Sequence, residues 1–310
     1  MATQILLGPQ TPTPNIRQAI ESINTEGPVV VITAGWRDSE GEIDELRDSA
    51  GCPVEDLMLY HRAEEVFAHE PGLRELQRER QDKLTELQRL YRIRLAPTLT
   101  AARKLLRTRA EPELLRLEQR AAITQLRALD THQLRRIQAI HQNFNQRRAG
   151  LEIPRARAQR DAVHSLVEKA GLVLIAGGHV AVLLNRIRLF GLDQLLAQKP
   201  VIAWSAGAMA LSERIVLFHH DAPQGKRDAE LLDAGLGIVR RRVLLPHAST
   251  RLDWHNRRRM ALFSRRFSPS VCCTLDNGSM IHLDNDRVVA SAGSYVVMRT
   301  GRKKTLTAAK

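Results

Sequence analysis

Cysteine is scarce in this chain: Cys52, Cys272 and Cys273 are the only three in 310 residues. Three thiols cannot build a disulfide framework, and their spacing does not match a zinc site, so they read as small buried hydrophobes. Long apolar runs are also missing. No window approaches the 18 or so uninterrupted apolar residues of a membrane helix, and MATQILLGPQTPTPNIRQ has no basic segment leading into an apolar one. A cytoplasmic protein without a membrane partner is the expectation. Glycine is absent from Leu73 to Ala149. No Gly-x-Gly-x-x-Gly or Gly-Lys-Ser/Thr phosphate loop occurs, and no nucleic-acid-binding fingerprint is found. His219, His220 and Asp221 cluster, but their spacing suits no shared helix face, so neither metal nor cofactor is expected.

What is present is a 43% apolar, 26% charged composition, ample for a buried core and ordinary for a globular chain. Before residue 70 and after residue 151, short β-branched runs alternate with helical stretches. Val29–Thr33 follows Gly27-Pro28 and reads as a buried parallel strand; 56–60 reads as another, with a polar helix over 38–48 between them. Leu172–Ile175 and Val201–Trp204 continue the pattern, Val243–Leu245 and Val271–Leu275 follow, and a hairpin turning at Asp284-Asn285-Asp286 closes it. This β-α-β rhythm predicts a doubly wound, mostly parallel α/β sheet. The expected organisation is 1–69 as its first part, 70–151 as a helical insertion, 152–302 as its second part and 303–310 as a basic tail.

The insertion has the Leu, Arg, Gln, Glu and Ala composition of long helices. Pro97 and Pro112 punctuate it, predicting two or three helices, most simply an antiparallel hairpin. Residues 71–150 hold about 18 basic against 8 acidic side chains, most of the chain's net +13. A solvated helical face and a docking surface for an anionic partner both fit that charge. The insertion could lean over a site as a lid or project as an oligomerisation arm; a homodimer is compatible with the latter.

The most informative stretch is Pro200-Val-Ile-Ala-Trp-Ser205-Ala-Gly-Ala-Met. An apolar strand running into Ser-Ala-Gly and then a helix is the pattern of a nucleophile elbow, whose crowded turn demands small neighbours and lifts the serine above the sheet. Position 203 is Ala where the usual pattern has Gly. Serine needs a base, and His247, in Leu-Leu-Pro-His247-Ala-Ser-Thr-Arg251, ends an apolar run where α/β sheets form their sites. The N–H of Ala206 and the Gly177-Gly178 turn offer convergent oxyanion donors.

The Gly-Gly turn, an elbow 27 residues beyond Gly178 and a Pro-His-x-x-x-Arg motif 42 residues beyond Ser205 together resemble the serine peptidase family of dipeptidase E and cyanophycinase. That family lies in the class I glutamine amidotransferase-like superfamily, with a flavodoxin-like sheet. The resemblance spans roughly residues 1–68 and 152–302. It implies Ser205 as nucleophile, His247 as general base, Asp221 as third member, Gly178 and Ala206 as oxyanion donors, and Gly177, His179 and Arg251 against a small peptide substrate. Arg257-Arg258-Arg259 resembles the family's basic stretch after the histidine. His179-Val180 departs from the family's Asn or Asp followed by Thr or Gln, and Asp276-Asn277-Gly278 occupies a turn that often carries Glu. Both departures bear on specificity. A glutaminase is disfavoured because the elbow holds serine, not cysteine. The alternative reading is a non-catalytic relative acting through its basic hairpin.

Overall fold

The computed structural model describes residues 2–24, 26–218 and 228–308. The chain opens with β1 (Gln4–Leu7), α1 (Ile16–Glu21), β2 (Val29–Ile32), a 3-10 segment over Ala34–Ser39, α2 (Asp44–Ala50), β3 (Val54–Asp56) and α3 (Leu59–His69). Two long helices follow, α4 (Pro71–Leu105) and α5 (Pro112–Ala149). The α/β pattern resumes with α6 (Pro154–Lys169), β4 (Leu172–Ile175), α7 (Val180–Leu189), α8 (Asp193–Leu196), β5 (Val201–Trp204) and α9 (Ala206–Leu211). Next come β6 (Arg214–Leu217), β7 (Glu230–Ala234), β8 (Arg242–Pro246), α10 (Ala248–Arg251), α11 (Arg257–Phe267) and β9 (Val271–Leu275). The described chain closes with β10 (Met280–Asp284), β11 (Arg287–Ala292), β12 (Tyr295–Val297) and β13 (Lys303–Thr305).

The central sheet has the order β11-β10-β1-β5-β4-β2-β3. Its five inner and far strands are parallel, and the antiparallel β10–β11 hairpin is added at β1. Strands β1, β4 and β5 are buried along their whole length, as continuous apolar runs covered on both faces require. A second sheet, β13-β12-β9-β8, has β8 and β9 parallel, with Pro246 opposite Leu275. β6 and β7 form a separate antiparallel ribbon.

Two expectations are corrected and one is narrowed. Residues 56–60 are not a strand: β3 stops at Asp56, whose carboxylate accepts from the Met58 and Gly41 N–H groups, and Met58 turns the chain with φ 53° into α3. Leu57 and Leu59 are buried by that turn rather than by a pleated strand. The insertion has two helices, the lower of the two numbers expected, because Pro97 sits on the exposed face of α4, where water can satisfy the carbonyl that its missing N–H leaves free. Residues 303–305, expected in a tail, add an edge strand to β12.

The hairpin of α4 and α5 shares the main apolar core, through Tyr91, Leu95 and Leu99 on one helix and Leu126, Leu129 and Phe144 on the other. Its basic residues are not all solvated. Arg266 of α11 donates to both carboxylate oxygens of Asp130 at 2.7 Å and to the Tyr91 hydroxyl at 2.7 Å, with only 2% and 4% of the two ionic side chains exposed. The Asp130 and Tyr91 oxygens hold the Arg266 guanidinium above its ordinary pKa although burial pushes the other way. Arg92 pairs with Glu230 of β7 at 2.8 Å, and Arg103 pairs with Asp228. The insertion is thereby fixed to β7 and α11 along much of its length.

Candidate active site

Ser205 lies between β5 and α9 with φ 51° and ψ −116°. Such a backbone costs roughly 1–3 kcal/mol for a residue with a Cβ and persists only where its surroundings enforce it. They do: Ser205 N–H donates to the Leu7 carbonyl of β1 at 3.2 Å, while α9 starts against the end of β4. A Cβ on Gly207 would lie 2.3 Å from the Ile175 carbonyl oxygen, so the position after Ala206 must be glycine. The Ala-x-Ser-x-Gly pattern therefore forms the sharp elbow its sequence predicts.

The Gly177-Gly178 turn packs directly on this elbow. A Cβ on Gly177 would sit 3.1 Å from Ser205 Cβ and 3.7 Å from Ala206 N. Gly178 has φ 99°, and its Cβ would lie 2.4 Å from the Gly35 carbonyl oxygen, which accepts the His179 N–H at 2.8 Å. The 3-10 segment carrying Gly35 and Trp36 thus holds the turn from behind. The N–H groups of Gly178 and Ala206 donate to no described residue. Gly178→Ala is expected to displace this turn and, where its N–H serves as the oxyanion donor that the sequence resemblance implies, to lower turnover about 10²- to 10³-fold with circular dichroism unchanged. Steady-state kinetics on folded protein check this.

His247 follows β8 with φ 56° and ψ 36°, its N–H donating to the Leu275 carbonyl of β9 at 3.0 Å. Burial, then the Arg251 cation, lower the pKa of its half-buried ring, against an opposing pull from Asp276. Asp276 follows β9, so the parallel β8–β9 register brings it to the same end as His247, where its carboxylate accepts the Ser249 N–H at 2.8 Å. Sequence reading assigned this turn to specificity. The signal that it faces the histidine lies in pairing between strands remote in sequence.

One cleft of about 900 Å³ gathers Gly177, Gly178, His179, Ser205, Ala206, His247 and Arg251, every predicted site residue within the described part of the chain. Asp221, with His219 and His220, lies outside the described residues. His179 also caps α7, its Nδ1 accepting the Val182 N–H at 3.3 Å. Arg251 is half-buried and its guanidinium bonds to no described residue; burial lowers its pKa. Neither Ser205 Oγ nor the His247 ring is hydrogen-bonded to a described residue. Trp36, Trp204 and Phe218 supply apolar wall, and Glu42 and Glu45 supply negative charge that the sequence reading did not anticipate. None of the residues lining this cleft comes from α4 or α5, which adjoin it through β7, whose Leu232 lines it, and through α7, whose Ala181 lines it. Among the described residues no three of His, Cys, Asp and Glu converge as a metal site, and no helix is long and apolar enough to cross a membrane.

Peptidase family S51 matches residues 130–291, just over half of the chain and the whole of the elbow, the Gly-Gly turn and the Pro-His motif. The chain belongs to peptidase family S51. It is a serine-type peptidase, the first of the two readings that the sequence allowed, and its parallel sheet with a long helical segment fits the flavodoxin-like fold of that family. No curated protein matches this S51 chain. A solved structure, that of a peptidase from an acI-B1 Actinobacterium, is similar over 100% of this chain and 96% of its own, at 13% identity and a TM-score of 0.46.

Proposed function

We propose that this S51 peptidase hydrolyses a peptide or isopeptide bond through an acyl-enzyme on Ser205. The observation that carries the reading is the strained Ser205 elbow packed against the Gly177-Gly178 turn in a cleft that also holds His247. His247 takes the Ser205 proton as Oγ attacks the carbonyl carbon, and the N–H groups of Gly178 and Ala206 stabilise the oxyanion. The imidazolium then protonates the leaving amine. In the second half His247 activates water, which attacks the ester carbon and releases the acid with Ser205 restored. Asp276 is the carboxylate that favours the transient imidazolium, in place of or together with Asp221. Apo side chains that do not yet touch are compatible with this chemistry, because catalytic hydrogen bonds often tighten only when substrate binds.

The charges of the cleft suit a short peptide entering near one end. Glu42 and Glu45 offer partners for an α-ammonium group, and the Arg251 guanidinium, bonded to no described residue, offers one for a substrate carboxylate. An exopeptidase reading follows, with a cleft volume near the upper end of ordinary ligand sites that leaves room for more than a dipeptide.

The test is hydrolysis of a panel of Asp-X dipeptides, β-aspartyl dipeptides and longer peptides by wild-type protein. Turnover is expected to fall on the acid side as His247 protonates. Because burial and Arg251 depress its pKa, that limb in kcat/KM lies below the ordinary histidine value of 6.5. Removing the cation with Arg251→Gln moves the limb to higher pH, and removing the anion with Asp276→Asn moves it lower. A limb unmoved by both would exclude His247 as the titrating base.

A further inference from the structure

A second cavity, of about 210 Å³, lies where the hairpin meets the α/β body, walled by Arg80, Arg92 and His141 on one side and Asn185, Arg188 and Asp233 on the other. Its charges do not balance. Asp233 is already committed to His141 Nε2 at 2.7 Å and to the Ala234 N–H at 2.7 Å, with Arg188 at 3.4 Å. Arg92 is committed to Glu230. Arg80, only 4% exposed, donates to the amide oxygens of Gln77 at 2.6 Å and Asn185 at 2.8 Å and stacks 3.9 Å from the centre of the Phe144 ring. It has no carboxylate partner among the described residues. A buried guanidinium without a counter-ion is costly, and here burial and the neighbouring cations, Arg188 first, push its pKa down to about 10 despite Asp233. His141, which also lines the cavity, turns Nε2 to Asp233 and Arg188, and its buried Nδ1 has no hydrogen-bond partner among the described residues.

This cavity adjoins the catalytic cleft, since Ala181 and Leu232 line both. Ala181, Asn185 and Arg188 stand at i, i+4 and i+7 on α7, one helical face running from the Gly-Gly turn to the cavity. We propose that the Arg80 cavity is an anion subsite of the catalytic cleft, taking a carboxylate on the part of a peptide substrate that extends along α7 from the bond cleaved at Ser205. The proposal rests on Ser205 as the reacting residue. It makes the insertion a specificity element, because Arg80 and His141 come from its two helices.

Binding, not turnover, tests it. Ser205→Ala protein is titrated calorimetrically with oligo-alanine peptides carrying a single Glu at each position in turn, against Gln-matched controls. One position is expected to favour Glu over Gln by about tenfold or more, the scale of one charged hydrogen-bonded contact, with no such preference after Arg80→Gln. A second variant, Asn185→Asp, supplies the missing counter-ion internally and is expected to abolish the preference while raising Tm, which separates loss of the site from loss of the fold. Equal binding of Glu and Gln peptides at every position, no binding by any peptide, or a preference surviving Arg80→Gln overturns the proposal. Inorganic phosphate raising the Tm of wild type but not of Arg80→Gln, without any Glu preference, makes this a free-anion site and also overturns the substrate assignment. Failure of the Ser205 reading shows separately, as a normal Glu preference in a protein whose serine takes no fluorophosphonate.

Discussion

Ser205→Ala is expected to reduce kcat/KM for peptide hydrolysis by about 10⁴-fold or more, and His247→Ala by a comparable factor. In the proposed mechanism the two side chains act as one device, since the serine hydroxyl is a weak nucleophile until a neutral imidazole accepts its proton. The Ser205/His247 double variant is therefore expected to be little worse than either single one, with residual rate from the oxyanion donors and the cleft itself. KM for a short peptide should move far less than kcat, because Ser205 Oγ contributes to the transition state rather than to the peptide's charged ends. Single-turnover kinetics on the three variants check this, and losses that simply multiply would break the coupling. Removing Ser205 Oγ leaves the turn geometry in place, because the strain at φ 51° is enforced by the Leu7 contact and by Gly207 against β4, not by the hydroxyl. A drop in activity accompanied by unfolding would not fit.

The second large effect lies far from the serine. Asp130→Ala strands the Arg266 guanidinium, almost wholly buried between α5, α11 and Tyr91, without the carboxylate it is hydrogen-bonded to. Breaking one side of such a pair costs about 3–5 kcal/mol, because the remaining charge stays desolvated. Chemical denaturation should show that loss as a lower midpoint. The double change Asp130→Leu with Arg266→Met is expected to recover most of it, since apolar residues of similar volume satisfy the same space. Tyr91 links the network to β7, its hydroxyl accepting the Leu231 N–H at 3.3 Å. Loosening the hairpin should thus also disturb Leu232 at the cleft and raise KM before the chain unfolds. Equal stability of wild type and Asp130→Ala would mean that the hairpin is held by its apolar face alone.

The parts of this fold that could be read from the sequence are those whose cause is local. Leu172–Ile175 running into Gly177-Gly178, and Val201–Trp204 running into Ser205-Ala-Gly207, carry strand, turn and helix signals within a dozen residues, and both elements form as read. The hairpin turning at Asp284-Asn285-Asp286 is of the same kind, with Asn285 and Asp286 both at positive φ. What sequence could not supply depends on partners distant along the chain. Asp276 lies within electrostatic reach of His247 because β8 and β9 run parallel in one particular register. The inward turn of Arg80 depends on Asn185 and Phe144, and the exposed Arg92 is held by Glu230, so a count of basic residues could not tell a solvated face from a built polar interface. The 56–60 segment misled because Leu57 and Leu59 alternate as a strand would, while Asp56 caps the turn that ends it.

The most direct test of the central claim is reaction of wild-type protein with a fluorophosphonate followed by peptide mapping. The account predicts one adduct per chain, on Ser205, forming slowly or not at all in His247→Ala. Folded protein that cleaves peptides yet carries its adduct on another serine, or takes none, would contradict the assignment of Ser205 as the nucleophile.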